Sequence, residues 1–199
     1  MLILLGDSII DNASYVQPGE SDVPAQIRAN LPEHEVVMRA RDGNMVADVL
    51  ADLDRAPLPP DARIVLSVGG NDALDRIGLL GDPEERTFCA SMAMLHAVRE
   101  GFRARYRSLV KALGTRRVLV CTIYNPNFQG TEADLQIPAE ATLSAFNDVI
   151  QQEALGAGFD VLELREIFLG PEDYANPIEP SAHGGAKLAA RIAAWALSP

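Results

Sequence analysis

Along the chain, short continuous apolar runs alternate with longer stretches in which apolar residues recur every three or four positions. The runs are Leu2–Leu5, Glu35–Ala40, Arg63–Val68, Arg117–Ile123 and, more weakly, Asp160–Leu164. Each is rich in Val, Ile and Leu and flanked by turn residues, which predicts a strand. Runs apolar at successive positions suit strands covered on both faces, as in a parallel sheet. Between them lie helical patterns over Val23–Leu31, Asn44–Leu53, Ala139–Leu155 and Ala186–Leu197. The longest is expected from about Glu84 to Leu113. Its apolar positions Phe88, Met92, Leu95, Val98, Phe102, Tyr106, Leu109 and Leu113 trace one face toward a core, and Gly114 is placed to end it. Alternation of this kind implies βαβ units with right-handed crossovers. The predicted architecture is a three-layer α/β sandwich around a parallel sheet of about five strands.

The chain has 199 residues, enough to bury a full core without staples, and one domain over residues 1–199 is expected. A formal net charge of −11 argues against a nucleic-acid partner, whose phosphates would be repelled. No apolar run approaches the length of a membrane span, and Met1–Leu5 lacks the basic flank and length of a signal segment. A cytoplasmic location without membrane association is therefore expected. The two cysteines, Cys89 and Cys121, have no metal-site or disulfide spacing and are both expected to be small buried hydrophobes. Three scattered histidines (His34, His96, His183) give no metal-ligand spacing. The arginines and lysine between Arg99 and Arg117 spread around a helix, so a solvated face is expected rather than an anion site.

Candidate chemistry gathers at three strand ends. The first strand runs into Gly6-Asp7-Ser8, the second into Arg41-Asp42-Gly43-Asn44 and the third into Gly69-Gly70-Asn71-Asp72. In a parallel sheet these tips share one edge. Acyl transfer by a serine needs an exposed hydroxyl and N–H donors aimed at the oxyanion of the tetrahedral intermediate. Ser8 offers the hydroxyl and its own N–H, Gly43 a second N–H, and Asn71 a side-chain amide. Asp7, Asp72 and Tyr124 are candidate substrate-binding residues around them, and Phe128 is a further candidate for the pocket wall.

The segment Leu4-Leu-Gly-Asp-Ser-Ile-Ile-Asp-Asn12 resembles the first block of the GDSL, or SGNH, hydrolases. Leu66-Ser-Val-Gly-Gly-Asn-Asp-Ala-Leu74 resembles their Gly-Asn-Asp block, and Gly43 matches the lone glycine between them. The resemblance spans the chain from the first strand to the last helix. It implies a flavodoxin-like α/β/α sandwich (the SGNH hydrolase fold), a small-molecule ester or related acyl substrate cleaved through an acyl-serine, and no metal or organic cofactor.

The last block departs from the family pattern. Where Asp-x-x-His-Pro is expected, the chain reads Asp173-Tyr-Ala-Asn-Pro-Ile-Glu-Pro-Ser-Ala-His183. Aligned on Pro180, Glu179 stands in place of the histidine base and Asn176 in place of its aspartate. Two bases are open. His183 would lie in the first turn of the last helix behind an N-cap Ser181, where the dipole favours neutral imidazole. Glu179 would need its pKa raised by burial or by a nearby carboxylate such as Asp7. Alternatively, the chain is an SGNH-fold binding protein that lacks a working base.

Overall fold

A computed structural model describes residues 1–76 and 87–198. Five strands form one parallel sheet: β1 (Leu2–Gly6), β2 (Val36–Met38), β3 (Arg63–Ser67), β4 (Val118–Cys121) and β5 (Asp160–Leu162), in the order β2-β1-β3-β4-β5. In register, Leu2 of β1 lies beside Val36 of β2 and Arg63 of β3. The central strands are apolar at successive positions because both faces are covered. Leu2 and Leu4 join the core beneath α1 (Val23–Asn30) and α6 (Ala182–Leu197). Ile3 and Leu5 join the core beneath α2 (Val46–Arg55), α4 (Phe88–Leu113) and α5 (Gln136–Gly156). This is the expected three-layer α/β sandwich, with each expected strand found, β1 one residue longer than expected and the other four shorter.

The order reverses direction between β1 and β3, so the crevice at their carboxyl ends is where such sheets bind ligands. Gly6 makes the exit from β1 possible. It has φ +138°, and a Cβ there would lie 1.8 Å from the carbonyl oxygen of Ser67. The one-turn helix α3 (Gly70–Leu74) then starts directly after β3.

Two details differ from the sequence reading. The core-facing stripe of α4 starts later than expected. Phe102, Tyr106, Leu109 and Leu113 are buried, whereas Phe88 and Met92 are exposed. Thr87 caps α4 by accepting from the Ala90 N–H, and the expected start near Glu84 lies outside the described residues. With that uncovered end, Cys89 is exposed, while Cys121 is buried in β4 as expected. The basic face of α4 is also more engaged than a solvated face. Arg99 pairs with Asp148, and Arg103 and Arg107 both pair with Glu153, tying α4 to α5.

A small antiparallel hairpin, β6 (Tyr174–Asn176) and β7 (Glu179–Pro180), was not expected. It stands just before α6 and carries the residues that depart from the family pattern. Among the described residues no helix is long and apolar enough to cross a membrane.

Candidate active site

Ser8 follows β1 in a tight turn closed by the Ile10 and Asp11 N–H groups, both donating to the Asp7 carbonyl. Its hydroxyl is buried and donates to Oε1 of Glu179 at 3.1 Å. Glu179 reaches this position from β7. The turn that aims it is set by Asn176, whose Oδ1 accepts from the N–H groups of Ile178 and Glu179, both at 3.0 Å. Asn176 thus acts on the backbone of the turn rather than on a base side chain. Tyr124 supports the same turn from β4 by donating to the Ile178 carbonyl at 2.7 Å, and its ring lies 4.3 Å from that of Phe168. The Asn127 N–H adds a bond to the Pro177 carbonyl.

The other base candidate lies elsewhere. Ser181 caps α6 as expected, and His183 is the helix's second residue. Its ring is 62% exposed, and its Nε2 is 3.7 Å from Asp173 Oδ1. Asp173 is the buried anchor of that corner, bonded to Lys187 Nζ and to the N–H groups of Leu169 and Gly170. The structure brings Ser8 together with Glu179 and turns His183 toward Asp173.

The ends of β2 and β3 meet the end of β1 through Asn44 and Asn71. Gly43 has φ +80°, a left-handed conformation that favours glycine, in the loop after β2. Its loop is pinned from several sides. Asp11 accepts from the Asp42 N–H, Tyr15 donates to Asp42, and Asn44 donates to the Gly6 carbonyl. Asn71 in α3 donates one amide hydrogen to the Asn44 carbonyl at 3.0 Å, and among the described residues its second hydrogen has no partner. Among the described residues, the Ser8 and Gly43 N–H groups donate to no other residue. Asp72 is placed differently from the substrate-binding role considered for it. Its carboxylate accepts from the Val46 N–H at the start of α2 and lies 3.5 Å from Arg105, so it supports a helix end and is absent from the pocket wall.

A pocket of about 720 Å³, open to solvent, runs from Ser8 and Glu179 across Asp7, Ile9, Asn71, Ile123, Tyr124 and Phe128. Leu74, Ala139, Leu143 and Ile178 make the rest of its wall largely apolar. Buried Asn147 fixes the β4 side by exchanging hydrogen bonds with both the N–H and the carbonyl of Ile123. Neither residue signalled this from sequence, since a lone Asn in an apolar helix carries no motif.

Two carboxyl groups here are pushed far from their ordinary range. Burial raises Glu179 to about 7, partly offset by the Ser8 hydrogen bond and reinforced by the charge of Asp42. Asp7 was the carboxylate expected to do this, yet it is itself raised by burial to about 8. Among the described residues, no cluster of three or more His, Cys, Asp or Glu side chains converges as a metal site.

A family model for the GDSL-like lipase/acylhydrolase family matches residues 4–187. The chain belongs to this family. A GDSL-like acylhydrolase is a hydrolase of ester bonds, and solved structures similar to this chain share its fold. An extracellular lipase from Streptomyces rimosus superposes with a TM-score of 0.72 at 19% identity, covering 99% of each chain. The acetyl xylan esterase AlAXEase gives 0.71 at 19% identity, again over 99% of both chains. Phospholipase A1 from Streptomyces albidoflavus NA297 gives 0.71 at 16% identity, over 99% of this chain and 98% of its own. No curated protein matches the chain in sequence.

Proposed function

We propose that this GDSL-like hydrolase cleaves carboxylic esters with Ser8 as nucleophile and Glu179, in place of a histidine, as its general base. The observation that carries the reading is the buried hydrogen bond from Ser8 Oγ to Glu179 Oε1. A carboxylate with a pKa near 4.5 is a weak base for a hydroxyl, but one raised to about 7 is matched to neutral pH. Glu179 accepts the Ser8 proton as Oγ bonds to the ester carbonyl carbon. The resulting oxyanion is held by the Ser8 and Gly43 N–H groups and the free amide hydrogen of Asn71. Collapse breaks the bond to the leaving alcohol, which takes the proton from Glu179. Water then attacks the acyl-serine, giving its proton to Glu179, and the acid leaves as Ser8 is reprotonated.

The apolar wall formed by Ile9, Ile123, Phe128, Leu143 and Ile178 supports a substrate with an uncharged, apolar portion beside the scissile carbonyl.

The test is hydrolysis of a short chromogenic ester at neutral pH. Ser8→Ala and Glu179→Gln are each expected to lower kcat by about 10³-fold or more, and His183→Ala by less than about threefold. Full activity in Ser8→Ala overturns the serine mechanism and favours a binding role. Loss in His183→Ala with retention in Glu179→Gln assigns the base to the histidine.

A further inference from the structure

Asp7 is fixed through its backbone, while its carboxyl group has few partners. Its backbone N–H donates to Ser67 and its carbonyl accepts twice, so the residue is fixed where β1 meets the Ser8 turn. Its side chain is buried. Among the described residues, Oδ1 accepts only the Ile9 N–H, at 3.1 Å, and Oδ2 has no hydrogen-bond partner. Oδ2 lies 3.8 Å from where a Cβ on Gly70 would sit, under the pocket floor. No cation among the described residues pairs with it; Arg105 on this side of the sheet is engaged with Asp72. A buried carboxylate with one hydrogen bond and no counter-ion is costly to ionise; Glu179, whose Oε2 also lacks a partner, shares that cost, but it is more exposed than Asp7 and accepts the Ser8 hydroxyl hydrogen at the open pocket.

We propose that Asp7 serves the reaction as an uncharged carboxylic acid, a positioning residue that holds the Ser8 turn while leaving Glu179 the single negative charge against the nucleophile. The proposal rests on the reading of Glu179 as base. The groups facing Asp7 are consistent with it. Glu179 on β7 and Asp72 on α3 both disfavour a further charge there, and Tyr106 on α4, Cys121 on β4 and Tyr124 beyond it are held protonated by burial. Around Glu179 stand Ser8, Asp7, Asp42, Tyr15 and Tyr124. Ionisation of Asp7 would set a second negative charge beside the developing oxyanion, so the rate falls on the alkaline side as that proton leaves. With Glu179 at about 7 and Asp7 at about 8, the window between the two limbs is narrow.

The test is kcat against pH for the wild type, Asp7→Asn and Glu179→Gln, with the side-chain carboxyl ¹³C resonance of Asp7 followed in the wild type. Asn reproduces the shape and neutrality of the protonated acid. Asp7→Asn is expected to cost no more than about threefold at pH 7, to lose the alkaline fall, and to outrun the wild type severalfold near pH 9.5. The Asp7 resonance in the wild type is expected to remain that of the acid through about pH 7. An alkaline limb that persists in Asp7→Asn, or an Asp7 resonance already ionised at about pH 6, overturns the proposal, and the second needs no variant to fold. Failure of the base reading looks different. It appears as retained activity in Glu179→Gln at neutral pH, whatever Asp7 does.

Discussion

Asp7 and Asp173 are both buried aspartates at the same end of the molecule, and their surroundings drive them in opposite directions. Asp173 accepts from two backbone N–H groups and from the Lys187 ammonium at 2.8 and 2.9 Å. These contacts outweigh its desolvation and hold its carboxyl below the ordinary value. Asp7 has one N–H and no cation, and burial carries it up to about 8. Burial alone therefore does not decide the charge of a carboxyl group; the donors around it do. The corner that Asp173 anchors is built for stability, joining the loop before β6 to α6. The corner that holds Asp7 and Glu179 keeps carboxyl groups poorly satisfied beside a nucleophile, an arrangement that costs stability and supplies a base.

The largest expected break in this contrast is catalytic. Glu179→Gln removes the ionisable group bonded to Ser8, and the expected loss of about 10³-fold in kcat corresponds to roughly 4 kcal/mol of barrier. On the structural side, Lys187→Met strands Asp173 in its pocket. We expect a loss of about 2 kcal/mol in urea unfolding at pH 7, less than for a fully buried pair because the lysine is partly exposed. The loss should shrink as pH falls through the depressed pKa of Asp173, since protonation removes the charge that Lys187 satisfies. An equal loss at pH 7 and well below pH 4 would mean that packing, not charge, is at stake.

The two corners also predict opposite slopes of stability with pH. A group whose folded pKa is lowered, like Asp173, adds stability above its unfolded value and loses it in acid. Asp7 and Glu179 are raised, so the folded state binds protons that the unfolded state has released. Stability then declines as pH climbs from about 4 toward 8. The Tm is expected to be higher near pH 5 than near pH 8.5, while activity runs the other way. Asp7→Asn should abolish much of that slope, a gain on the order of 5 kcal/mol at pH 8.5. A flat Tm across this range in the wild type would break the contrast.

The parts of this picture that were legible in the sequence are those set by local pattern. Leu2–Leu5 and Arg63–Val68 read as strands because both sheet faces are covered, and Ser8, Gly43 and Asn71 could be grouped because parallel strand ends share an edge. Glu179 and His183 could not be separated that way. The choice depends on the short β6–β7 hairpin, whose four-residue turn is held by Asn176, by Tyr124 from β4 and by the Asn127–Pro177 bond. None of these contacts leaves a periodic trace. The exposed start of α4 was hidden for the converse reason. Its stripe of Phe88 and Met92 has helical spacing, but spacing does not say where burial begins. Asp72, which sits in a site-like motif, is spent on the start of α2, a contact between helices distant in sequence.

The smallest expected effect separates burial from charge at Glu179 itself. Two causes raise this carboxyl, burial first and the negative charge of Asp42 after it. Asp42 is exposed, and its influence crosses solvent that screens it, whereas the desolvation of Glu179 is fixed by the hairpin and the Ser8 turn. Asp42→Asn removes the charge and keeps an oxygen able to accept from Tyr15. Without the like charge, Glu179 ionises more readily, so the acidic limb of kcat should move to lower pH, by less than about half a pH unit, and the movement should fade in high salt. A displacement of a full unit would give the larger part to charge. Glu179 would then resemble one member of a surface carboxylate cluster more than a buried base, and the difference between its corner and that of Asp173 would rest on which charges lie nearby rather than on which hydrogen bonds are missing.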